Sequence, residues 1–576
     1  MFYLKPGKKL LLIFLIGIAL FHTPLFSQEV PQSVSNTGIY DFLDELANIH
    51  IVTINSAVKP YSRLYIAQRL KEAEDKKDQL NKRQMKELDF YLLDFGKELG
   101  EEWRRGATAQ RRNGEKEDGH NGATAQQRKG ENEEGQKGAR AQWLKGGNKR
   151  MDLFYYRDSL FSLTVNPILG GEIFSNAAGK ATYARNGVEA RAYIQRWGFY
   201  ASLRDNHEKP LLGLPQFLTQ RVDGHIKGTN DWSEMKGGVT YSWKWGNAGL
   251  VKDNLQWGNN YNGANIFGGN NPSFLQLRLH IKPVKWFDFN YFHGWLNSMV
   301  VDSSKSYWVT NSYGSVYREH YHRKYIAANM FTFTPFKDLN ISAGNSIVYD
   351  YINANPVYLM PIFFYKSVDH SITSGIANMN SQMFFDISSR QIKNLHLYAT
   401  WFIDELSVSR FTMKDQWNFF SWKAGFRLTD LPVSDLSFTT EFTYTYPLAF
   451  QHDVPTLTFQ NQDYNLGHYL KDNAREWYVA FDYHLVRTLD INLCFLDAIR
   501  GPDYTELGVN RVGNPPLASV QWHNTSIGLK ASYQIINDLY TWFSITSGHI
   551  TGDTRWSPVY FYGWKSTVNG GVSFGF

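Results

Sequence analysis

A period of two, renewed strand after strand from about Ser159 onward, restricts what this chain can fold into more than any other feature. In Leu436–Tyr446 one face carries Leu436, Phe438, Thr440, Phe442, Tyr444 and Tyr446, and the other carries Ser437, Thr439, Glu441, Thr443 and Thr445. Leu489, Ile491, Leu493 and Phe495 alternate with Asp490 and Asn492; Leu275, Leu277, Leu279 and Ile281 alternate with Gln276, Arg278 and His280. Leu339, Ile341 and Ala343 behave likewise. Such alternation places one apolar and one polar face on each strand. The last strand, Trp564–Phe576, has Val568, Gly570, Val572, Phe574 and Phe576 on one side. In water a bare apolar face on an open edge invites aggregation. It is acceptable where lipid meets the face and barrel closure pairs both edges.

The connections sharpen this. Short links are expected near Pro283–Trp286, Pro335–Asp338, Gln391–Asn394, Thr429–Ser434, Val486–Thr488 and Ile535–Asp538. Longer ones lie between them, at about 297–322, 351–379, 406–415, 447–474, 501–521 and 550–562. Transmembrane barrels alternate in this way, with short periplasmic turns and long outer loops. The expected fold is mainly β: a transmembrane antiparallel β-barrel of about 18 strands with a small N-terminal α-helical periplasmic domain. An even count returns both ends of the barrel to the periplasmic side. The terminal aromatic, Phe576, matches the assembly signal that bacterial outer-membrane barrels commonly carry.

Upstream, Lys5, Lys8 and Lys9 precede an apolar run from Leu10 to Leu20, and Ser27 offers a small residue before Gln28. That is the layout of a signal peptide over residues 1–27. The sole cysteine, Cys494, rules out an intrachain disulfide and a lipid anchor near the cut. Residues 28–100 read as a helical periplasmic domain. Ile39, Phe42, Leu43, Leu46 and Ile49 keep helical spacing, as do Leu64, Ala67 and Leu70 behind a Ser62 cap, and a third stretch holds Leu80, Leu88, Tyr91, Leu92 and Phe95. Residues 101–150 carry a 16-residue repeat starting at Gly106, Gly122 and Gly138, rich in Gly and charge, which is expected to be a disordered insert. The barrel then occupies residues 151–576.

Composition agrees with export to a membrane. Aromatic residues make up 16% of the chain, yet mean hydropathy is −0.41, because lipid-facing and lumen-facing residues cancel. The formal net charge of +6 comes from the signal and the insert, which leaves the rest close to neutral. No nucleic-acid partner is implied.

The polar stretch Gly258–Pro272 lies between two strands. Asn259, Asn260, Asn270 and Asn271 can donate and accept hydrogen bonds there, and Trp257 and Tyr261 offer flat faces to sugar C–H groups. These six are candidates for glycan binding or pore narrowing; the same Asn and Gly content also fits a loop that satisfies its own turns. Long loops add Tyr307, Trp308, Tyr313, Tyr317, Tyr321, Tyr464, Tyr469, Trp556, Tyr560 and Tyr562, which suit glycan capture or an interfacial girdle. Lumen charge candidates are Arg191, Arg204, Arg278, Asp288 and Glu441, with Asp482 and Asp490; opposed charges there commonly brace the wall. The cluster Arg318-Glu319-His320-Tyr321-His322 has no partner at metal-ligand spacing, so neither a metal nor another cofactor is expected. No nucleophile-elbow pattern occurs, and the chain is read as non-enzymatic.

Val251–Leu279 reads VKDNLQWGNNYNGANIFGGNNPSFLQLRL. It resembles the signature of the Wzi-type capsule-assembly family: a strand ending in Trp257-Gly258, a polar stretch, the turn Asn270-Asn271-Pro272, then Ser273-Phe274 opening the next strand. FHGWLNS at Phe292–Ser298, NPVYLMPIFFYKSVDH at Asn355–His370 and KPYSRLYIAQRL ending at Leu70 resemble further elements of that family. Gly268-Gly269 stands where a Leu-Ser pair is often found. The resemblance implies a barrel in the bacterial outer membrane that binds or assembles capsular or other surface polysaccharide. Its expected partners are that polysaccharide, outer-membrane lipid and the barrel-assembly machinery. The alternatives are a porin or channel for small solutes and, third, a barrel-embedded hydrolase.

Overall fold

The computed structural model describes residues 29–99, 152–158 and 160–575, apart from 222, 223, 227, 313, 373–378, 504–510 and 537. The expected signal peptide, the 101–150 repeat, Tyr313 and Phe576 therefore lie outside the described residues.

Eighteen antiparallel strands close into one barrel, the last pairing with the first. In chain order they are β1 (Phe161–Asn176), β2 (Gly179–Ile194), β3 (Trp197–Lys209), β4 (Asp231–Trp243), β5 (Gly246–Asp253) and β6 (Phe274–Val284). Next come β7 (Phe287–Val301), β8 (Tyr321–Phe336), β9 (Leu339–Tyr349), β10 (Met379–Ser389), β11 (Leu395–Glu405) and β12 (Phe419–Thr429). The circuit ends with β13 (Leu436–Thr445), β14 (Ala474–Val486), β15 (Leu489–Arg500), β16 (Trp522–Ile536), β17 (Leu539–Gly552) and β18 (Gly563–Phe574). Closure is set by Val568 opposite Ser175 and Phe574 opposite Leu169.

The pleat sorts residues as their alternation requires. Phe333, Ile341, Phe385, Ile387, Leu493, Phe495, Ile527, Leu529, Val568 and Val572 are exposed on the outer wall. Ser437, Thr439, Glu441, Thr443 and Thr445 of β13 are buried inside. An outer surface of this kind is stable only in hydrocarbon, and closure leaves no edge unpaired there. All six expected short links join neighbouring strands at one end, in two to six residues. At the other end the β1–β2 link departs from the expected asymmetry, because Gly179, at φ +115°, closes it in two residues.

Three helices sit across the short-turn end, the end that faces the periplasm in such barrels. They are α1 (Thr37–Asn48), α2 (Arg63–Glu74) and α3 (Lys82–Phe95). The Ser62 side chain caps α2 by accepting from the Tyr65 N–H at 3.1 Å, and Asn81 with Gln84 forms a capping box on α3. Ile39, Phe42, Leu43, Leu46, Leu70, Leu88 and Leu92 form a core of their own. Arg63, buried in that core, is balanced by Asp94 at 3.0 Å and Glu98 at 2.8 Å.

Several long connections do not project outward as loops, two of them packing in large apolar clusters. The β13–β14 connection folds into the lumen, where Phe450, Phe459 and Leu466 pack with Phe402. The β9–β10 connection folds back over the outer wall, where Tyr358 and Tyr365 bury Phe289, Tyr291, Tyr325 and Ile347.

Candidate functional site in the lumen

After β5 the chain leaves the wall and crosses the lumen over residues 254–273. Val58 and Lys59, in the link between α1 and α2, pair with Trp257 and Gln256, so the crossing segment rests on the helical end. Gly268 N–H donates to the Leu466 carbonyl at 2.7 Å, which ties the segment to the infolded β13–β14 connection on its other side. The segment is thus held between two lids.

Wall carboxylates clamp it. Glu441 accepts from the backbone N–H groups of Tyr261 and Asn262, each at 2.7 Å, from the Tyr398 hydroxyl at 2.5 Å and from Lys423 at 3.1 Å. Asp386 accepts from the N–H and the Nδ2 of Asn259, at 2.8 and 2.6 Å. Asn265 accepts from Thr400 at 2.5 Å and donates to the Ser421 carbonyl at 3.2 Å. Each of these carboxylates is almost fully buried, so its charge is tolerable only because several donors surround it.

A latch joins the helices to wall and segment together. Asp44 of α1 accepts from Arg390 at 2.5 Å and from the Tyr261 hydroxyl at 2.5 Å. Arg390, in the β10–β11 turn, also donates to Asn48 at 2.7 Å and to Ser56 at 3.1 Å. Burial alone would raise the Asp44 carboxyl, but Arg390, His396 and Arg427 outweigh it and hold the group below the ordinary carboxylate range. A second tie runs from Arg83 of α3 to Asp435 in the β12–β13 turn at 2.6 Å.

The six candidates on the crossing segment separate. Trp257 is buried, its ring edge-packed 5.3 Å from both Phe267 and Phe292 and 6.0 Å from Phe384, so its faces are not available to a sugar. Asn259 is consumed by Asp386 and Ser56. Asn271 donates to the Pro272 carbonyl at 2.8 Å, a turn contact. Tyr261 lies under Arg427, 4.7 Å from the ring, and joins the latch. Of the six, Asn260, Tyr261 and Asn270 retain a partly exposed side chain on the cavity, and the Nδ2 of Asn270 has no protein partner.

That cavity, of about 490 Å³, remains between the helices, the crossing segment and the β2–β4 wall. Tyr183, Arg204, Glu208, Trp232 and Lys236 line its wall side. Of the lumen charge candidates, Arg204 lines it and the others do not. Arg191 faces Glu189 at 3.5 Å and Asp94 at 3.8 Å. Arg278 donates to Gln276 at 2.8 Å and to the Asn254 carbonyl at 2.9 Å. Asp288 sits against His280 at 3.1 Å and Lys282 at 3.3 Å. Sequence reasoning missed Asp44, Asp386 and Arg390. Asp386 could have been found, as an inward carboxylate between outward Phe385 and Ile387; Asp44 stands among the apolar positions of α1, which also signals a buried partner.

The loop aromatics divide as well. Tyr464, Tyr469, Trp556 and Tyr560 are buried, and Arg500 stacks 3.8 Å from the Trp556 ring. Tyr307, Trp308 and Tyr317 stand on a hairpin, Tyr307–Asn311 paired with Gly314–Arg318, beyond the outer rim. Trp308 is 68% exposed, and its ring lies 5.3 Å from Tyr317.

No family model matches the chain, and no curated protein matches it. A solved structure does: Wzi of Escherichia coli, an outer-membrane protein involved in group 1 capsule assembly and a carbohydrate-binding β-barrel, aligns over 96% of this chain and 100% of its own, with a TM-score of 0.54 at 11% identity. The chain has the fold of Wzi. OccD3 and OprD of Pseudomonas aeruginosa align over 72% of the chain, with TM-scores of 0.40 and 0.39 at 11% and 12% identity. Closed barrel and apolar outer belt make this an outer-membrane protein.

Proposed function

We propose that this is a non-conducting, non-enzymatic outer-membrane barrel that binds or assembles surface polysaccharide at the cell exterior. The observation that carries the reading is the division of labour among its polar and aromatic groups. Inside, carboxylates and asparagines are spent on tying the crossing segment and the helices in place. Outside, Trp308 and Tyr317 stand exposed side by side on a hairpin, as flat faces suited to sugar C–H groups. The Wzi fold, found in a carbohydrate-binding barrel, supports the same assignment.

Binding of purified capsular polysaccharide, followed by calorimetry in detergent, tests it. Trp308→Ala with Tyr317→Ala should weaken binding about tenfold, roughly 1.4 kcal/mol, while leaving barrel stability unchanged. Equal affinity in the double variant would remove the hairpin from the function. Large, stable openings of the unmodified protein in planar bilayers would favour the channel reading instead.

A further inference from the structure

Two asparagines face the wrong way. Asn329 of β8 and Asn345 of β9 share the outward parity of Phe333 and Ile341, yet they are 0% and 6% exposed. Counting from Phe336 at the short-turn rim, Asn329 lies seven residues up β8. At about 3.3 Å per residue and a tilt of about 40°, that is roughly 18 Å above the rim, inside an apolar band ~25 Å tall. An amide side chain bare to hydrocarbon at that depth would be unsatisfied.

The β9–β10 connection has the complementary problem. Irregular backbone does not occur in contact with the hydrocarbon unless its polar groups are satisfied. Here they are. The Nδ2 of Asn329 donates to the carbonyls of Pro361 and Phe363, both at 2.9 Å. The Oδ1 of Asn345 accepts from the Tyr365 N–H at 2.9 Å, and its Nδ2 donates to Asn329 at 2.7 Å. The Tyr291 hydroxyl donates to the Tyr358 carbonyl at 2.9 Å, and the Tyr349 hydroxyl accepts from the Asn355 N–H at 3.1 Å. Each oddity answers the other.

We infer that residues 350–372 are a membrane-embedded strap, tethered by Asn329 and Asn345, whose exposed Leu359, Met360, Ile362 and Phe364 contact the acyl chains of outer-membrane lipid. The occupant follows from continuity and depth. The strap replaces the outer faces of β7–β9 within the same belt that exposes Phe333, Ile341 and Phe385; from Pro356 to Phe364 its outward side chains are apolar while its tethers point inward, and the exposed polar residues Asn353, Ser367, His370 and Ser371 lie toward its two ends. This surface is independent of the proposed polysaccharide site.

The test is site-directed spin labelling in lipid vesicles. Ile362→Cys is labelled in a Cys494→Ser background, with Phe385→Cys and Trp308→Cys as lipid and water references. Residue 362 should match Phe385, accessible to oxygen and shielded from a water-soluble nickel chelate. Nickel accessibility like that of Trp308 would overturn the inference, as would shielding from both with spin–spin broadening that grows with protein density, the mark of a second copy. Adding Asn329→Leu and Asn345→Leu should shift the label toward the aqueous signature, in protein whose gel mobility shows a closed barrel. An unchanged signal there would refute the tether, and the single-label result stands should that variant fail to assemble.

Discussion

Glu441→Ala should be the most damaging single substitution in the lumen. It strips the acceptor from two backbone N–H groups, one hydroxyl and Lys423, whose buried ammonium keeps the Asn262 carbonyl at 3.2 Å but has no other carboxylate at ion-pair distance among the described residues. Breaking a buried ion pair from one side costs about 3–5 kcal/mol, and each orphaned donor adds about 1–3 kcal/mol. Glu441→Gln keeps an acceptor oxygen and should lose markedly less. The measurement is the temperature at which the detergent-solubilised barrel loses its compact gel mobility. A wild-type value for Glu441→Ala would mean that the aromatic packing around Trp257 and Phe267 holds the crossing segment unaided.

Arg390→Ala should loosen the helices without dissolving the barrel. Asp44 would be left as a buried carboxylate beside Tyr261, and Asn48 and Ser56 would lose their donor. A penalty of about 3–5 kcal/mol raises the undocked population roughly a hundred- to several thousandfold. Brief, small current bursts should then appear in planar bilayers, small because the crossing segment still fills the lumen. Protease should also reach the link between α2 and α3. Asp44→Ala combined with Arg390→Ala should restore part of the loss, since neither charge is then stranded. A single variant as quiet and as resistant as the parent would show that the Arg83–Asp435 tie suffices.

The strands were legible because their cause is local: a lipid-facing wall demands an apolar residue at every second position, and Leu436–Tyr446 or Leu489–Phe495 can be read without knowing their neighbours. The helices were legible for the same reason, through the spacing of Ile39, Phe42, Leu43 and Leu46 in α1 and through the Ser62 cap of α2. What a connection does once it leaves the wall was not. The stretches at 351–379 and 447–474 looked equivalent as long loops, yet one covers the outside and the other fills the inside, because their partners are hundreds of residues away or on three different strands. Trp257 misled for a related reason. Its polar neighbours suggested an accessible ring, while the aromatic residues that enclose it, Phe292 and Phe384, come from β7 and β10.

The way the helices grip the barrel has a bearing on biogenesis. α1 to α3 have their own core and are synthesised before any strand, yet their partners are scattered round the ring: Arg390, Asp435 and Thr429, with Arg487 resting 4.3 Å from the Phe90 ring. Those partners take up their places only as the cylinder is completed. The helices can therefore reach their full set of contacts only once the strands that carry these partners stand in the ring.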